Sequence, residues 1–432
     1  MRRVESGALS DSSRRILVAT TSEDIAPRRE VPLGAGYYDA PQWSIHSRPE
    51  LNMLALWVGE GAPLVLVSVD ALYAGAKLRA AVEEELTDVP PENIVVGASH
   101  THAAPMLDDT KPQLGEPDPE HLEFVLERVR AGIQKLLDPA RRMDARVLAG
   151  KGRADHSVNR RQVKRVTWQW PPRFNTLRWR PDFWGKRDET ITALRFESLD
   201  GAELAVVWNY ACHPVVFPLQ RTVSTHYPGT VRAALREELG RDLPVLFFQG
   251  FSGDIRPLAL AEPRIPPSVH HLYRRVRFGP EWDHREKTLA EYEAWAGSLA
   301  SRVSRTVAGS TPIHFDGFSA VRALANRLLF VGSAGSDLSF QAIKLGDAFG
   351  LVAVSGEVVV DYAAKARKWL GTRYSMLVGC ADDTMGYLPT RKMMDYGGYE
   401  GGAFVEAFDL GELNPLLEEN TTAHLRSVTE RV

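Results

Sequence analysis

Apolar stretches of strand length alternate with amphipathic stretches of helical length along most of the chain. Apolar runs at Pro63–Leu72, Asn93–Ser99 and Val245–Gln249 predict buried strands. Pro119–Leu137 predicts an amphipathic helix with Asp118 as its N-cap and a proline at its first position. Further strands are predicted at Thr190–Phe196 and Glu203–Tyr210, and further helices at Gly75–Leu86, Pro228–Leu239, Trp295–Ala308 and Glu357–Leu370. This alternation predicts one α/β assembly with layers of sheet and helix.

Two long stretches interrupt the alternation. Pro257–Arg285 is rich in proline, arginine and histidine. Arg165–Arg187 combines prolines and arginines with four of the ten tryptophans, namely Trp168, Trp170, Trp179 and Trp184. Stretches of this length inside a domain are commonly lids, binding loops or insertions. A surface excursion with aromatic packing and a substrate-binding loop that uses Trp168 and Trp184 are equally compatible with the pattern.

Composition and charge narrow the function classes. The 432 residues are 44% hydrophobic and 25% charged, as in ordinary globular proteins. A net charge of −3 gives no sign of a nucleic-acid partner. The polar N-terminal segment lacks the apolar core of a signal peptide, and no apolar run approaches the ~20 residues that span a bilayer. We therefore expect a cytoplasmic protein without a nucleic-acid partner or a membrane span, and the composition leaves a homo-oligomer open.

The two cysteines agree with that compartment. Cys212 and Cys380 are too few for a disulfide framework and suit a reducing environment. A disulfide between them is the minor alternative.

The sharpest chemical signal is the sequence SHTHAAP, residues 99–105, which directly follows an apolar strand. Open α/β sheets carry their sites at the carboxyl ends of strands. His100 and His102 would supply neutral imidazole nitrogens suited to Zn²⁺. Two histidines that merely cap a loop would give the same pattern, so the motif alone leaves both readings open.

Three further histidine or glutamate positions lie near strand or helix ends. His213 follows a strand in NYACHP and is a candidate ligand, whereas the adjacent Cys212 is expected to pack in the core. His226, just before a predicted helix, is a substrate contact, a group beside the metal, or a capping residue. Glu357 is expected to open a helix, and it becomes a ligand candidate only in company with histidines. These residues predict a His/His/Glu metal site with an open position for water.

The segment QGFSGDIRP, residues 249–257, follows another apolar strand. Its two glycines are expected to let backbone amides approach a ligand closely. Ser252 lacks the G-x-S-x-G spacing of a serine hydrolase, and no base is identifiable nearby.

Taken in order, HTHAAP, NYACHP, THYPG, QGFSGDIRP, SGE and GYLPT followed by GGYEG resemble the neutral/alkaline non-lysosomal ceramidase family in its N-terminal catalytic domain. The likeness extends from about residue 16 to about residue 411. It implies layered mixed β-sheets flanked by helices, with residues 1–432 forming a single catalytic domain. Because the chain ends soon after the last motif, we expect the C-terminal β-rich domain of ceramidases to be absent.

The resemblance also implies roles for single residues. It implies one zinc ion per chain, held by four ligands, namely His100, His213, Glu357 and Tyr387. It further implies three residues at the reacting group: His102 as the catalytic histidine, Tyr399 as a contact of that group, and Arg160 as an active-site arginine. The activity it implies is hydrolysis of an amide C–N bond by hydroxide generated at zinc.

The departures from the family concern the substrate. Arg256 and Leu258 replace a serine and an asparagine of the family's Gly-Asp-x-Ser-Pro-Asn segment, and His226 replaces an aspartate. We therefore expect a small or polar amide other than ceramide, contacted by Arg256 or by the tryptophan-rich stretch. Action on esters or lactones, and amide formation or cyclisation in a biosynthetic pathway, are alternatives with the same zinc core. A serine amidase and a non-catalytic metal- or ligand-binding protein are the alternatives of other classes.

Overall fold

The structure is a computed structural model that describes residues 15–34, 43–166, 174–219, 221–258, 288–326, 329–331, 337–405 and 411–432. The helices are α1 (Gly75–Glu85), α2 (Pro119–Leu137), α3 (His226–Leu239), α4 (Leu289–Ala308), α5 (Ala363–Leu370), α6 (Arg391–Tyr396) and α7 (Leu417–Arg431). The strands are β1 (Ile16–Asp24), β2 (Ser44–Ile45), β3 (Glu50–Val58), β4 (Leu64–Val69), β5 (Ile94–Ala98), β6 (Met143–Arg153), β7 (Ser157–Val166), β8 (Phe174–Asp182), β9 (Thr190–Ser198), β10 (Glu203–Tyr210), β11 (Thr222–Val223), β12 (Val245–Gln249), β13 (Ile255–Pro257), β14 (Thr311–Pro312), β15 (Phe318–Ala325), β16 (Phe330–Val331), β17 (Leu338–Leu345), β18 (Phe349–Val354), β19 (Glu357–Val358), β20 (Tyr374–Val378), β21 (Tyr387–Leu388) and β22 (Glu412–Leu413).

Two sheets form the centre of the molecule. The large sheet has the order β12-β10-β9-β6-β1-β3-β4-β5, with β14 paired to β6 as its ninth strand. Within it β10 and β12 are parallel, as are β4 and β5. The small sheet has the order β15-β17-β18-β20, in which β18 and β20 are parallel. Each sheet is therefore mixed, and the parallel pairs bring the carboxyl ends of neighbouring strands to one edge.

The two sheets pack face to face, with helices on both outer faces. Leu66 and Phe248 of the large sheet share a buried cluster with Leu351 and Met376 of the small sheet. Helices α1 to α4 bury their apolar sides against the outer face of the large sheet. Helices α5 and α7 do the same on the outer face of the small sheet. The result is a four-layer α/β/β/α arrangement, which confirms the predicted α/β class with layered mixed sheets.

Local sequence signals set the ends of several helices. The Asp118 side chain accepts a hydrogen bond from the His121 N–H at the start of α2, as predicted. Thr288 and the third residue of α4, Glu291, form a capping box. Gly240 ends α3 in the left-handed conformation, with φ of 62°. None of the helices in the described ranges is both long and apolar enough to cross a bilayer.

Glu357 lies on a strand, so the helix predicted from this residue onwards was wrong at its start. Glu357 and Val358 form β19, which pairs in parallel with Tyr387 and Leu388 of β21. The Glu357 N–H donates to the carbonyl of Gly386 at 2.8 Å, and this bond draws the segment into a strand. The regular helix begins only at α5. Helix α3 begins two residues earlier than predicted, because a proline is tolerated in the first turn.

The stretch Arg165–Arg187, predicted to be a long loop or insertion, contains a strand. Strand β8 pairs antiparallel with β7, and β13 pairs with the other edge of β7. Residues 167–173, which include Trp168 and Trp170, lie outside the described residues. Residues 259–287 also lie outside them, and with them most of the second predicted insertion, Pro257–Arg285.

Candidate metal centre

Strands from both sheets end at one place between the layers. Strand β5 leads to His100, β10 leads to His213, and β18 leads to Glu357. Backbone hydrogen bonds tie these ends together: Ala98 N–H donates to Cys380 O at 3.1 Å, and the Cys380 N–H donates to Gly356 O at 3.1 Å. Residues far apart in sequence therefore meet where the carboxyl ends of strands converge, which is the usual location of α/β sites.

His100 and His213 are each held through one ring nitrogen by backbone carbonyls. Nδ1 of His100 lies 3.0 Å from the carbonyl oxygen of Leu72. Nδ1 of His213 lies 2.7 Å from the Ser252 carbonyl oxygen and 3.0 Å from that of Ile255. A carbonyl can only accept, so Nδ1 carries a proton in both rings, and in the neutral imidazole Nε2 keeps its lone pair. This is the arrangement that prepares an imidazole for a metal ion.

Both free Nε2 atoms face the carboxylate of Glu357. The distance to Glu357 Oε2 is 3.1 Å from His213 Nε2 and 3.4 Å from His100 Nε2. The His100 Nε2 atom is buried and receives no hydrogen bond from any described residue. When both rings are neutral, as metal binding requires, the two Nε2 atoms and Glu357 Oε2 are three electron-pair donors that converge. Ligands about 2.0–2.1 Å from a tetrahedral zinc ion are separated by about 3.3–3.4 Å, so these residues fit zinc.

The other oxygen of Glu357 is held by a residue that sequence reasoning missed. The Tyr73 hydroxyl donates to Glu357 Oε1 at 2.5 Å, and both side chains are buried. Oε2 is consequently the oxygen left facing the histidines. The signal available in the sequence was the position of Tyr73, which lies four residues after the end of β4 and so at the same edge of the sheet.

His102 lies beside the two histidines rather than apart from them. Ligand atoms of His100, His102 and His213 lie within 4.8 Å of one another, and this group could hold a metal ion. The Nε2 atom of His102 is buried and has no hydrogen-bond partner among the described residues. Burial lowers the pKa of His102 well below its ordinary value, and the neighbouring His100 and His213 act in the same direction. His102 is therefore a neutral imidazole at pH 7.

The charges of the pocket favour a cation. Burial lowers the pKa of His213 to about 4, with Arg160 acting in the same direction, so this ring is neutral. Burial raises the pKa of Glu357, but His100 and His213 outweigh it and hold the pKa well below its usual range. Burial lowers the pKa of His100, yet Cys380 and Glu357 raise it well above its ordinary value. Without a metal ion His100 therefore holds a second proton beside Glu357, and a bound cation would displace this proton and take over its positive charge.

Tyr387 and Arg160 also lie close to Glu357. Tyr387 is the register partner of Glu357 in the β19–β21 pair. Its hydroxyl accepts a hydrogen bond from Arg160 Nη2 at 3.2 Å. The Tyr399 ring packs edge-on against that of Tyr387, with ring centroids 5.4 Å apart. Burial raises the pKa of Tyr399 to about 12, so its hydroxyl keeps its proton at neutral pH.

Arg160 is fixed by a second residue that sequence reasoning missed. Arg160 Nε donates to Glu400 Oε1 at 2.5 Å, and Arg161 Nη1 donates to Glu400 Oε2 at 2.5 Å. Glu400 directly follows Tyr399, so it was visible in the GGYEG motif although no role was predicted for it.

The residues predicted to contact substrate do not form one cluster as the proposed metal ligands do. The buried side chain of Arg256 lies in β13 and lowers the pKa of Cys212, although burial outweighs it and raises that pKa. His226 Nδ1 lies 2.5 Å from the Oγ1 atom of Thr101, the residue between His100 and His102. Trp184 lies just after β8 with 82% of its surface exposed, and Trp168 lies outside the described residues.

The glycines of QGFSGDIRP pack closely against other parts of the chain, and the approach of their backbone amides to a ligand stays a prediction. A Cβ on Gly250 would lie 2.7 Å from Ala211 Cα, and one on Gly253 would lie 2.6 Å from the carbonyl oxygen of Glu357. Ser252 uses its carbonyl to orient His213, and its hydroxyl pairs with Gln249. The segment therefore packs against His213 and Glu357 and helps to hold both residues in place.

The two cysteines are both free and buried, as expected. Cys212 belongs to a hydrophobic cluster with Trp208 and Tyr227, which confirms its predicted core position. Cys380 lies against His100 and raises the pKa of that histidine.

Comparison with known proteins places this site in a recognisable fold. No model of a protein family and no curated protein matches the chain. The neutral ceramidase from Pseudomonas aeruginosa has a similar structure, with a TM-score of 0.74 and 13% sequence identity over 97% of this chain and 75% of that chain. A ceramidase complexed with C2 gives a TM-score of 0.72 and 13% identity over 96% and 75% of the two chains. The chain therefore has the fold of the neutral ceramidases, as its motifs predicted, without being a close match to them.

Proposed function

We propose that this protein is a zinc-dependent hydrolase that cleaves the C–N bond of an amide. The observation that carries the proposal is the convergence of His100 Nε2 and His213 Nε2 on Glu357 Oε2, at 3.4 and 3.1 Å, in a buried pocket. The ceramidase-like fold supports the same reaction class by analogy, which is weaker support than the site itself.

The proposed ligands are His100, His213, Glu357 and Tyr387. Tyr387 is the weakest member, because its hydroxyl accepts from Arg160 and burial raises its pKa well above the ordinary value. A bound cation would oppose that shift. His102 is the alternative fourth ligand, since its ligand atoms lie within the three-histidine group.

The chemistry that zinc supplies when bound in such a site is Lewis acidity together with ionisation of water near neutral pH. Arg160 and Tyr399 donate hydrogen bonds to the carbonyl oxygen as it becomes negative. His102, neutral at pH 7, takes up at its unpartnered Nε2 the proton that the attacking water loses, and delivers it to the leaving amine. The Tyr73 hydroxyl, which holds Glu357, and the carbonyls that hold the two histidines keep the ligand set rigid.

The proposed substrate is a small or polar amide other than ceramide. The support is chemical: Arg256 and His226 bring a cation and a polar ring to positions where ceramidases carry a serine and an aspartate. A guanidinium suits a carboxylate or a polar carbonyl of the substrate better than an alkyl chain. Hydrolysis of long-chain ceramide at a rate comparable to that of polar amides would overturn this choice.

Metal content is the first experiment. Purified wild type should contain about one zinc per chain, and His213→Ala should lose it. His121→Ala is the matched control, because this buried histidine lies in α2 and should leave the zinc in place. A folded wild type that neither contains nor takes up zinc would refute the proposal and favour the non-catalytic binding protein.

Matched amide and ester substrates with the same acyl group test the reaction class. Amide turnover that a chelator abolishes and zinc restores supports the proposal. Turnover of esters or lactones alone would support the alternative reaction on the same zinc core. Inactivation by a serine-directed reagent, with chelators harmless, would support a serine amidase instead.

His102→Ala decides between a proton-transfer role and a ligand role for this histidine. If His102 transfers protons, turnover should fall by about 10²–10⁴-fold while zinc content stays at about one per chain. Loss of the zinc in this variant would move His102 into the ligand set.

A further inference from the structure

A buried carboxylate separates two adjacent arginines beside the proposed metal site. Glu400 is 3% exposed, and each of its oxygens accepts from a different arginine at 2.5 Å. Arg160 and Arg161 are also buried. A carboxylate with both oxygens engaged by guanidinium groups cannot serve as a general base, so its contribution must come from what it holds in place.

An irregularity in β7 explains how two consecutive side chains reach one partner. On a regular strand Arg160 and Arg161 would point to opposite faces. The pairing of β7 with β8 shifts register between Asn159 and Arg161. Such a bulge re-aims side chains, and bulges are frequent next to active sites. Here it turns both guanidinium groups toward Glu400.

Glu400 fixes the plane of the Arg160 guanidinium. One edge of this group is bound by Glu400 through Nε, while Nη2 donates to Gly253 O at 2.7 Å and to the Tyr387 hydroxyl at 3.2 Å. Without the bond at Nε, the guanidinium could rotate away from Tyr387. The two arginines would also face each other as uncompensated buried cations.

The same carboxylate anchors the segment that carries Tyr399. Tyr399 and Glu400 open a short π-helical turn, Tyr399–Ala403, and such turns are frequent at functional sites. Gly398, with φ of 84°, packs so closely that a Cβ there would lie 2.2 Å from Leu177 Cδ2. The turn therefore has little freedom once Glu400 is bound to the arginines.

We propose that Glu400 is a positioning residue that sets both Arg160 and Tyr399 for the reaction. This inference rests on the proposed function, because it concerns how two residues of that site are aimed. Glu400 itself acts only through the residues that it holds.

Glu400→Gln tests the inference, because it keeps the size of the side chain and removes its charge. In folded, zinc-loaded protein we expect kcat to fall by about 10- to 100-fold, the range for residues that support an active site. KM should change by less than about threefold, since a transition-state interaction is lost. Zinc content should stay at the wild-type value. Glu400→Asp keeps the charge but is too short to engage both arginines, so its kcat should lie between that of wild type and that of Glu400→Gln.

The readout independent of activity is the position of Arg160 in crystal structures of wild type and Glu400→Gln. We expect the contact of Arg160 Nη2 with the Tyr387 hydroxyl, 3.2 Å in the intact site, to be lost in the variant. Retention of that contact would overturn the inference even if the wild type proves inactive. An inactive, zinc-free wild type would instead refute the proposed function, so the two failures are distinguishable.

Glu23→Gln is the matched control. Glu23 is a buried carboxylate in β1 that also engages two cations, Lys135 at 2.5 Å and Arg128 at 3.4 Å, both on α2. The substitution Glu23→Gln should lower the free energy of unfolding without lowering kcat per folded molecule. An equal loss of activity in both variants, or a Glu400→Gln kcat within about twofold of wild type, would overturn the inference. If Glu400→Gln does not fold, the same comparison is made with Glu400→Asp.

Discussion

Tyr73→Phe isolates the contribution of one hydroxyl to the proposed metal site. The substitution removes only the oxygen that donates to Glu357 Oε1, and the ring of Tyr73 is otherwise fully buried. Without this bond the Glu357 carboxylate loses the contact that holds Oε1, so Oε2 is less strictly oriented toward His100 and His213. We therefore expect zinc affinity to fall while the fold is retained.

The magnitude follows from the geometry. A hydrogen bond to a charged group contributes about 1.5–3 kcal/mol, and the 2.5 Å length and complete burial place this one among the strong examples. At about 1.4 kcal/mol for each factor of ten, full transmission to the metal predicts a loss of about 10- to 150-fold in zinc affinity. Mutation of residues that hydrogen-bond to metal ligands typically lowers metal affinity by about 10–100-fold, which agrees with this prediction.

The assay is competition for zinc against a chromophoric chelator, with unfolding by urea measured in parallel. Tyr210→Phe is the control, because its buried hydroxyl donates to the Ala154 carbonyl at 2.9 Å and does not contact the site. Both variants should lose some stability, but only Tyr73→Phe should lose zinc affinity. Equal zinc affinity in Tyr73→Phe and wild type would show that Glu357 needs no support from this hydroxyl.

Two further predictions concern the scaffold around the site. Gly97→Ala should lower the free energy of unfolding by about 1–3 kcal/mol, because its Cβ would lie 2.5 Å from a ring carbon of Phe248. In urea titrations Gly297→Ala, a helical position with nothing within 4 Å, should be neutral or stabilising, and equal effects of the two would contradict the packing argument. Burial raises the pKa of Asp254 from 3.8 to about 6, so its stabilising contribution is present below pH ~4 and is lost as pH rises through 6. As pH rises from ~4 to about 6, the free energy of unfolding of the wild type should fall by about 2–3 kcal/mol relative to that of Asp254→Asn. Parallel profiles of unfolding free energy against pH for the two proteins would contradict the pKa shift.

The sequence predicted the strands and helices whose patterns are local. Val245–Gln249, Glu203–Tyr210 and Pro119–Leu137 have the bounds that periodicity and capping residues predicted. Glu357 was misplaced because a single long-range hydrogen bond to Gly386 decides its conformation. Pairing between distant segments leaves no periodic signal in the sequence around either partner.

The site was predictable as far as its residues carry an unusual type or motif. His100 and His213 stand out as histidines at strand ends, and their tautomers follow from carbonyls that no local pattern identifies. Tyr73 and Glu400 were missed because a tyrosine and a glutamate near strand or helix ends are ordinary residues. Their importance arises only from partners far away along the chain, Glu357 and the two arginines. The bulge in β7 is likewise a property of pairing.

The position of the site between the two sheets has a consequence for metal release. His100 and His213 follow strands of the large sheet, whereas Glu357 follows β18 of the small sheet. A bound ion therefore bridges two layers, and it can leave only when those layers separate locally or a ligand swings out. The rate at which zinc escapes to an excess of chelator would then report local separation of the sheets together with release of single ligands, slow motions that thermal displacement in a crystal does not report.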